Sequence, residues 1–338
     1  MTRIAFEALQ STIEQAFLRA GLSAEQAALC AKIHTQTSCD GIPSHGLNRV
    51  ARFVDYVKKG WVAVDAVPER VKSLSVMEVW DGQRGPGIPN AILAIDRAIE
   101  LARDNGVGMV AMRNTTHWMR GGTYGWRAAT QGMAAICWTN TESCMPAWGG
   151  KNPRLGNNPF VMAVPGKAGP LVLDMAMSQY SYGKLQVTRL KGEKLPYAGG
   201  FTAEGQLTDD PAPIEASMRI LPAGYWKGSG LAILLDAMAA LLSAGKCTAE
   251  IDTIEQGSCT GASQIFMVFD PAQIGGQALS EQITARVQAY VNGSDKAEGF
   301  SEVTWPGQRQ RLTREQNLQQ GIPVDEGVWK EVQKLAAG

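Results

Sequence analysis

The spacing of hydrophobic and polar residues predicts a chain that begins with helices. In residues 5–20 the hydrophobic positions recur at helical spacing, and the pattern stops at Gly21. Ser23 and Gln26 have the spacing of a capping box, which predicts that a second helix begins there. A third helix is predicted over about 44–59, where the helical spacing returns.

From about residue 74, short hydrophobic runs alternate with helical patterns. Further helices are predicted over 90–105, 122–131, 230–244, 280–291 and from about 312 onward. Runs typical of strands are 108–114, 134–141, 159–166, 170–178 and 263–271. The alternation predicts a layered α/β domain with a mixed sheet. The expected organisation is a helical N-terminal segment (1–73), an α/β core (74–311) and C-terminal helices (312–338) that pack back on the N-terminal segment.

Composition excludes some classes of function. The 338 residues are 45% hydrophobic, and 32 Lys and Arg balance 32 Asp and Glu, so nothing indicates a nucleic-acid or membrane-surface partner. No hydrophobic run is long enough to suggest a membrane span, and the N-terminus does not resemble a signal peptide. The six cysteines lack C-x-x-C spacing, as expected of reduced thiols. We therefore expect a cytoplasmic protein that binds neither membranes nor nucleic acid.

The predicted helix over 44–59 has two different faces. Its hydrophobic stripe consists of Leu47, Val50, Phe53, Val54 and Val57. Its other notable face carries His45, Arg49, Arg52 and Tyr56. An imidazole one turn from a guanidinium suits an α-keto or α-hydroxy carboxylate, because arginine binds the carboxylate and histidine exchanges a proton with the adjacent oxygen. The alternative is an ordinary solvated face.

A glycine-containing loop lies between a predicted strand and a predicted helix. It reads RNTTHWMRGGTYGW over 113–126 and contains His117, Gly121 and Gly122. Two glycines let the backbone approach a ligand closely, and the start of the next helix favours phosphate. The alternative is an ordinary turn. Asp174, which ends a predicted strand, is equally suited to binding a ligand and to capping a helix.

Familiar nucleotide and hydrolase motifs do not account for the chain. GVGMVA over 106–111 fits a dinucleotide fingerprint, but it follows a helix and opens a strand, the reverse of what that motif requires. The sequence contains no Walker A lysine pattern, no G-x-S-x-G and no H-E-x-x-H.

Several longer motifs carry a family resemblance. In chain order they are SHGLNR, RNTTHWMRGGTYGW, GNNP (156–159), LVLDMAMSQYSYGK and ILPAGYWKGSGLAILLD. Over nearly its whole length the chain resembles the malate/L-lactate dehydrogenase family of the non-Rossmann type. The resemblance implies a mixed-sheet α/β core of the L-sulfolactate/malate dehydrogenase-like fold, a nicotinamide dinucleotide bound by that core, and a homodimer.

The resemblance also implies roles for individual residues. His45 is expected to be the proton donor in the N-terminal segment, Arg49 to hold the substrate carboxylate, and Ser44 to lie beside them. The expected cofactor-binding residues are His117, Asn158, Pro159, Pro170, Leu171, Val172, Leu173, Asp174, Met175, Ala176, Trp226, Lys227, Gly307, Gln308 and Arg309. No metal is expected. The chain departs from the family in GGFTAEG (199–205), which leaves an acidic partner for His45 unassigned, and at Gln308, which leaves the contacts to the cofactor ribose, and hence NAD or NADP, open.

The combined expectation is an NADH-dependent reductase of a 2-keto sugar acid, with NADP possible as the cofactor. Arg49 and the helix N-terminus both oppose protonation of His45, and a bound carboxylate would offset them. Substrates that the same family leaves open are malate, lactate, ureidoglycolate and a cyclic imino acid. A sugar-acid binding protein without catalysis is the alternative of another class, and it would need neither a nicotinamide site nor His45.

Overall fold

The computed structural model describes residues 2–338 as helices and strands joined by short loops. The helices are α1 Phe6–Arg19, α2 Ala24–Cys39, α3 Val50–Lys58, α4 Gly87–Asn105, α5 Gly122–Ala129, α6 Tyr182–Leu190, α7 Pro211–Ser217, α8 Trp226–Ser243, α9 Thr248–Asp252, α10 Ala272–Gly275, α11 Gln277–Asn292, α12 Gln308–Gln320 and α13 Glu326–Ala337. The strands are β1 Thr2–Ile4, β2 Glu69–Leu74, β3 Met77–Asp81, β4 Val107–Thr116, β5 Ala134–Thr139, β6 Met145–Pro146, β7 Pro153–Leu155, β8 Phe160–Val164, β9 Leu171–Met175, β10 Gly200–Phe201, β11 Leu207–Thr208, β12 Thr260–Phe269 and β13 Ile322–Val324.

A seven-stranded sheet forms the centre of the fold, in the order β2-β3-β4-β12-β5-β8-β9. Strands β3 and β4 run parallel, and the other neighbours are antiparallel. Successive residues of β12 face opposite sides: Phe266 packs with α4 and α5, whereas Ile265 packs with α8. The sheet is therefore covered by helices on both faces, which confirms the predicted mixed-sheet α/β class.

A helical layer built from both ends of the chain lies beside the sheet. Strand β1 pairs with β13, and Thr2 lies opposite Val324. Helix α13 packs against α1, where Arg19 Nε donates to the carbonyl of Ala336 at 2.6 Å. The shared core of this layer includes buried Phe17 and Val332.

The predicted third helix is wrong at its start. Two 3₁₀ turns, Pro43–His45 and Leu47–Arg49, precede α3, which begins only at Val50. Between the turns, Gly46 lies so close to α2 that a Cβ there would collide with Ser38 Oγ and the backbone of His34. This tight packing fixes the turn, and helical periodicity cannot reveal it. The hydrophobic stripe is as predicted, because Leu47, Val50, Phe53 and Val54 are buried.

Helix α8 corrects the expectation that no hydrophobic run could span a bilayer. Its 18 residues have a mean hydropathy of 1.2, enough by length and composition, although this is weak evidence for a membrane span. Its inner side is fixed to the sheet layer, where Trp138 Nε1 donates to the carbonyl of Leu235 and Asn158 Nδ2 donates to that of Ala232. Its outer side exposes Leu234 and Leu241. The helix is thus a sheet-covering element with an uncovered apolar face.

Candidate active site

A cavity of about 410 Å³ opens where the helical layer meets the sheet. It is lined by the 43–49 turn and α3 on one side, by α6 on another, and by the ends of β4, β5 and β12. The side chains that could bind or react with a ligand are Ser44, His45, Asn48, Arg49, Arg52, His117, Glu142, Asn157, Ser181, Tyr182, Gln186 and Gln264. The cavity therefore combines two arginines, two histidines and the carboxyl groups of Glu142 and Glu215 with many neutral polar groups.

The turn that carries His45 is fixed by α2. His34 Nδ1 lies 2.8 Å from the carbonyl oxygen of Gly46, and Ser38 Oγ accepts the backbone N–H of Leu47 at 2.8 Å. His34 is buried and its ring lies 5.3 Å from that of Phe17. Both contacts fix the peptide group between Gly46 and Leu47, so they hold the adjoining His45 at the cavity wall.

Ser44, His45 and Arg49 form one hydrogen-bonded group. Ser44 Oγ lies 3.1 Å from His45 Nδ1, and Arg49 Nε donates to the carbonyl of Ser44 at 3.0 Å. Arg49 therefore has its Nε engaged by the backbone, and its two terminal nitrogens remain for a ligand. Arg52 lines the same cavity, whereas Tyr56, which was predicted on the same face, packs against Trp61 instead.

Burial and neighbouring cations govern the charge of His45. They lower its pKa to about 4, with desolvation the largest cause and Arg49 and Arg120 next. The expected contribution of a helix N-terminus is absent, since His45 ends a 3₁₀ turn rather than starting an α-helix. Burial and Arg52 likewise lower the pKa of Arg49. A bound anion would oppose both effects.

His117 and Pro159 are the expected cofactor residues that line this cavity. His117 Nδ1 accepts the backbone N–H of Met119 at 2.9 Å. The rings of His117 and His45 are nearly parallel, inclined by 28° with their centroids 6.1 Å apart. Asn158 points elsewhere: it accepts the N–H of Thr141 at 3.0 Å and donates to Ala232, so it supports the loop around the cavity.

The expected cofactor stretches 170–176 and 307–309 come together away from the cavity. Val172 N–H donates to the carbonyl of Pro306 at 2.9 Å. Gly307 has a φ of +97°, and a Cβ there would lie 3.2 Å from Val172 N, so both conformation and close approach favour glycine. Beyond β9, Met177 N–H donates to the carbonyl of Asn157 at 2.7 Å, which brings this strand to the rim of the cavity.

A buried ionic network connects the two regions. Arg120 contacts Asp40 at the end of α2, and its Nε lies 3.6 Å from Asp174 Oδ2 on β9. Arg314 Nη2 donates to Asp40 at 2.8 Å. Asp174 also accepts the N–H of Gly122 at 2.9 Å, which is the helix-capping interaction considered for this residue. Burial raises the pKa of the Asp174 carboxyl, although Arg120 opposes this.

Trp226 and Lys227 lie outside both regions. They begin α8, and Trp226 is 64% exposed. Neither lines the 410 Å³ cavity. Within one chain the structure therefore separates these two residues from the other expected cofactor residues.

Sequence reasoning missed several cavity residues. Glu142, whose pKa is raised by burial, lies near enough to Arg49 and Arg52 for their charges to oppose that shift. Ser181 and Tyr182 belong to a motif that carried the family resemblance, but nothing in their spacing indicated a site. The described residues, 2–338, contain no group of three or more His, Cys, Asp or Glu that could hold a metal ion.

Comparison with known proteins agrees with the fold and the motifs. The malate/L-lactate dehydrogenase family profile matches residues 4–333. A 2,3-diketo-L-gulonate reductase from Citrobacter koseri is 43% identical over 334 residues, covering 98% of this chain and 100% of that protein.

Two solved structures are similar over 99% of this chain. Malate dehydrogenase from Pyrococcus horikoshii has a TM-score of 0.90 with 27% identity over 95% of its own length. The delta1-piperideine-2-carboxylate reductase from Pseudomonas syringae pvar. tomato has a TM-score of 0.88 with 26% identity over 100% of its length. With a family match that spans almost every residue, the chain belongs to the malate/L-lactate dehydrogenase family and is an oxidoreductase acting on CH–OH groups.

Proposed function

We propose that the protein is a cytoplasmic NADH-dependent reductase of a 2-keto sugar acid, converting 2,3-diketo-L-gulonate to 3-keto-L-gulonate. The observation that carries this proposal is the convergence of Ser44, His45 and Arg49 on one polar cavity. The substrate is taken from the similar protein of Citrobacter koseri, which bears that name. A reducing compartment agrees with six unpaired cysteines.

Arg49 is assigned to the substrate carboxylate. Its Nε bond to Ser44 fixes the plane of the guanidinium and leaves the terminal nitrogens to form the bidentate pair that arginine makes with carboxylates. The guanidinium is partly buried beside Arg52, and a carboxylate between them would relieve their repulsion. Binding of an anion is therefore favoured by charge as well as by geometry.

His45 is assigned the proton transfer. When bound, the reduced nicotinamide supplies a hydride to the C2 carbonyl carbon, and the oxygen there then needs a proton. His45 is neutral in the free protein, because its pKa is about 4, and the substrate carboxylate raises its proton affinity. Ser44 Oγ can accept from or donate to His45 Nδ1, so this hydrogen bond survives in both protonation states.

The rest of the cavity suits a hydroxylated chain. Asn157, Ser181, Tyr182 and Gln186 present amides and hydroxyls along its walls. Such groups hydrogen-bond substrate hydroxyls, and they lose those partners when a substrate carries only a methyl group. This lining favours a sugar acid over lactate.

The residues around β9 and the start of α12 fit a dinucleotide. Two buried donors there lack an acceptor in the described chain: Trp126 Nε1 and Arg311 Nε. Phosphate and ribose oxygens are acceptors that would satisfy them. We assign cofactor binding to 170–176 and 307–309, with Pro159 at the end near the cavity and Asn158 holding the loop there through Thr141 and Ala232. Because Arg309 lies 3.8 Å from Glu302, it is partly neutralised, which favours NADH over NADPH.

We further propose a homodimer that buries the outer face of α8. Leu231, Ile233, Leu234, Met238 and Leu241 are between 39% and 79% exposed. Contiguous apolar surface of this kind marks an interaction site. The same contact would cover Trp226, and Lys227 would then lie next to the second copy of the chain.

An absorbance assay tests the function. NADH oxidation is followed with 2-keto acids of increasing chain length, from pyruvate to 2,3-diketo-L-gulonate, with malate and a cyclic imino acid as comparison substrates. The highest kcat/KM is expected with 2,3-diketo-L-gulonate. A higher kcat/KM with any comparison substrate would assign another reaction of the family, and tight binding of the sugar acid without NADH oxidation would make the protein a binder.

A further inference from the structure

The hydrogen bond between Met119 and His117 determines which ring nitrogen of His117 carries a proton. Met119 N–H points at His117 Nδ1 at 2.9 Å. A backbone N–H can only donate, so Nδ1 must accept and carries no hydrogen. The remaining proton of a neutral imidazole is then on Nε2. Met119 adopts φ +64°, which is uncommon for a residue with a side chain, and the loop holds it in this strained conformation.

The other two histidines have different partners and make natural comparisons. His34 Nδ1 lies 2.8 Å from the carbonyl of Gly46, which can only accept, so His34 carries its proton on Nδ1. His45 Nδ1 faces the hydroxyl of Ser44, which can do either. Among the chain's three histidines, His117 alone would therefore lose its Nδ1 hydrogen bond on gaining a proton, because its Nδ1 accepts from a fixed backbone donor.

The surroundings of His117 also oppose a positive charge. The ring lines the cavity, and its Nε2 has no partner among residues 2–338. Burial lowers its pKa well below the usual value, and the charged or titratable groups acting in the same direction are Arg49, His45, Arg52 and His34. Protonation at Nδ1 would in addition set two N–H groups against each other.

We infer that His117 is a permanently neutral Nε2–H donor that hydrogen-bonds the oxygen of the keto group being reduced, while His45 alone supplies the proton. The inference rests on the proposed function and assigns His117 to substrate rather than cofactor. The nearly parallel rings, 6.1 Å apart, leave the two imidazoles facing the same region of the cavity. As hydride reaches the carbon, negative charge develops on the oxygen. His117 stabilises that charge without losing its proton, and the oxygen takes its proton from His45.

Nitrogen-resolved NMR of the histidine rings tests the tautomer without any turnover. The chain contains three histidines, so selective ¹⁵N labelling gives three ring systems, assigned with His34→Gln and His45→Gln. We expect His117 to show the Nε2–H pattern and His34 the opposite Nδ1–H pattern. Both should persist between about pH 5 and pH 8, the range in which an ordinary histidine titrates. An Nδ1–H pattern for His117, or its protonation in this range, would overturn the inference.

A pair of substitutions tests the role. The side-chain amide of glutamine places an N–H near the position of histidine Nε2, whereas leucine has no donor. His117→Leu should lose about 10²–10³-fold in kcat, as expected for one donor to a developing oxyanion. His117→Gln should recover a large part of that loss. Both variants should bind NADH, followed by quenching of tryptophan fluorescence, with the wild-type Kd.

The outcomes separate this inference from the proposed function. If His117→Leu weakens NADH binding and leaves kcat unchanged, the ring contacts the cofactor and the inference is wrong. If none of the 2-keto acids tested supports NADH oxidation by the wild-type protein, the proposed function has failed, whatever tautomer the spectrum shows. Wild-type kcat in His117→Leu, with the reductase activity established, also rejects the inference.

Discussion

His34 and Gly46 are joined by a buried hydrogen bond of 2.8 Å between the imidazole Nδ1 and the carbonyl oxygen. This contact connects α2 to the turn that carries His45. Gln cannot place its amide where Nδ1 lies, so His34→Gln leaves the Gly46 carbonyl without a partner. We expect the free energy of unfolding to fall by about 1–3 kcal/mol, the cost of an unsatisfied buried group.

Urea unfolding measures this loss. His34→Asn, whose amide lies near the position of Nδ1, should lose less stability, and exposed Lys32→Gln on the same helix should behave as wild type. Expressed as a free energy, the loss of kcat in His34→Gln should be smaller than the loss of stability. A variant with full stability but little activity would mean that His34 acts in the chemistry.

Arg49→Lys should weaken substrate binding. Lysine keeps the charge but cannot hold the Ser44 carbonyl and a carboxylate at the same time. Loss of one charged hydrogen bond, about 1.5–3 kcal/mol, corresponds to roughly a 10- to 150-fold rise in KM. Initial-rate kinetics give KM, and Arg154→Lys on β7 is the matched control. A wild-type KM in Arg49→Lys would assign the guanidinium to a purely structural role.

His45→Gln should lose about 10²–10⁴-fold in kcat, the range for general acid catalysis. The fold should survive, because His45 lies in the cavity wall rather than among the buried apolar residues of α3. If more than about a tenth of kcat remains, the loss is smaller than the lower end of that range, and the proton has another source.

The pH dependence provides a second test of His45. The acid must be protonated, and its pKa in the free protein is about 4, so kcat/KM for reduction should fall about tenfold per pH unit above that value. Bound substrate raises the pKa, so the decline in kcat should begin at higher pH. Coincident profiles for kcat and kcat/KM would show that the carboxylate does not assist protonation.

The cofactor preference should respond to Glu302. Its carboxylate lies 3.8 Å from Arg309 Nε and would repel a 2′-phosphate. We expect a higher kcat/KM with NADH than with NADPH in the wild type, and a narrower difference in Glu302→Gln, where Arg309 is free to meet the phosphate. Arg309→Ala should leave the Kd of NADH unchanged. Equal or better use of NADPH by the wild type would reject the preference.

Association through α8 should be sensitive to charge. Leu234 and Leu241 are 60% and 79% exposed on one helix. We expect the double substitution Leu234→Glu/Leu241→Glu to convert a dimer to a monomer in light-scattering measurements. Val67→Glu, at an equally exposed position elsewhere, should not. A monomeric wild type would exclude the dimer. A dimer that persists in the double variant would place the interface elsewhere.

Local patterns predicted much of the fold because they act over one or two helical turns. Ser23 and Gln26 form the expected capping box, with Gln26 N–H donating to Ser23 Oγ at 3.3 Å. Strand β2 escaped notice because all its residues are exposed and it reads as a polar segment. Strands β1 and β13 have three residues each, and their pairing across the whole chain leaves no periodic signal.

The site was predictable where chemistry is concentrated in one stretch. Ser44, His45 and Arg49 lie within six residues of each other, so residue type and spacing suffice. Glu142 reaches the same cavity from the end of β5, and Gln186 reaches it from α6. Only the folded chain brings these together. The tautomer of His117 depends on the unusual backbone of Met119, which composition and spacing cannot show.

The pairing of the two chain ends has a consequence for biosynthesis. Helix α1 emerges from the ribosome roughly 300 residues before α13, a delay of about 15–60 s at ordinary rates of elongation. During that interval the side of α1 that will contact α13 has no final partner. The turn that carries His45 belongs to this layer, so we expect a nascent chain to become active only after its last helix has been made. Premature termination near the C-terminus should therefore yield a protein whose sheet has formed but whose His45 is not yet held in place.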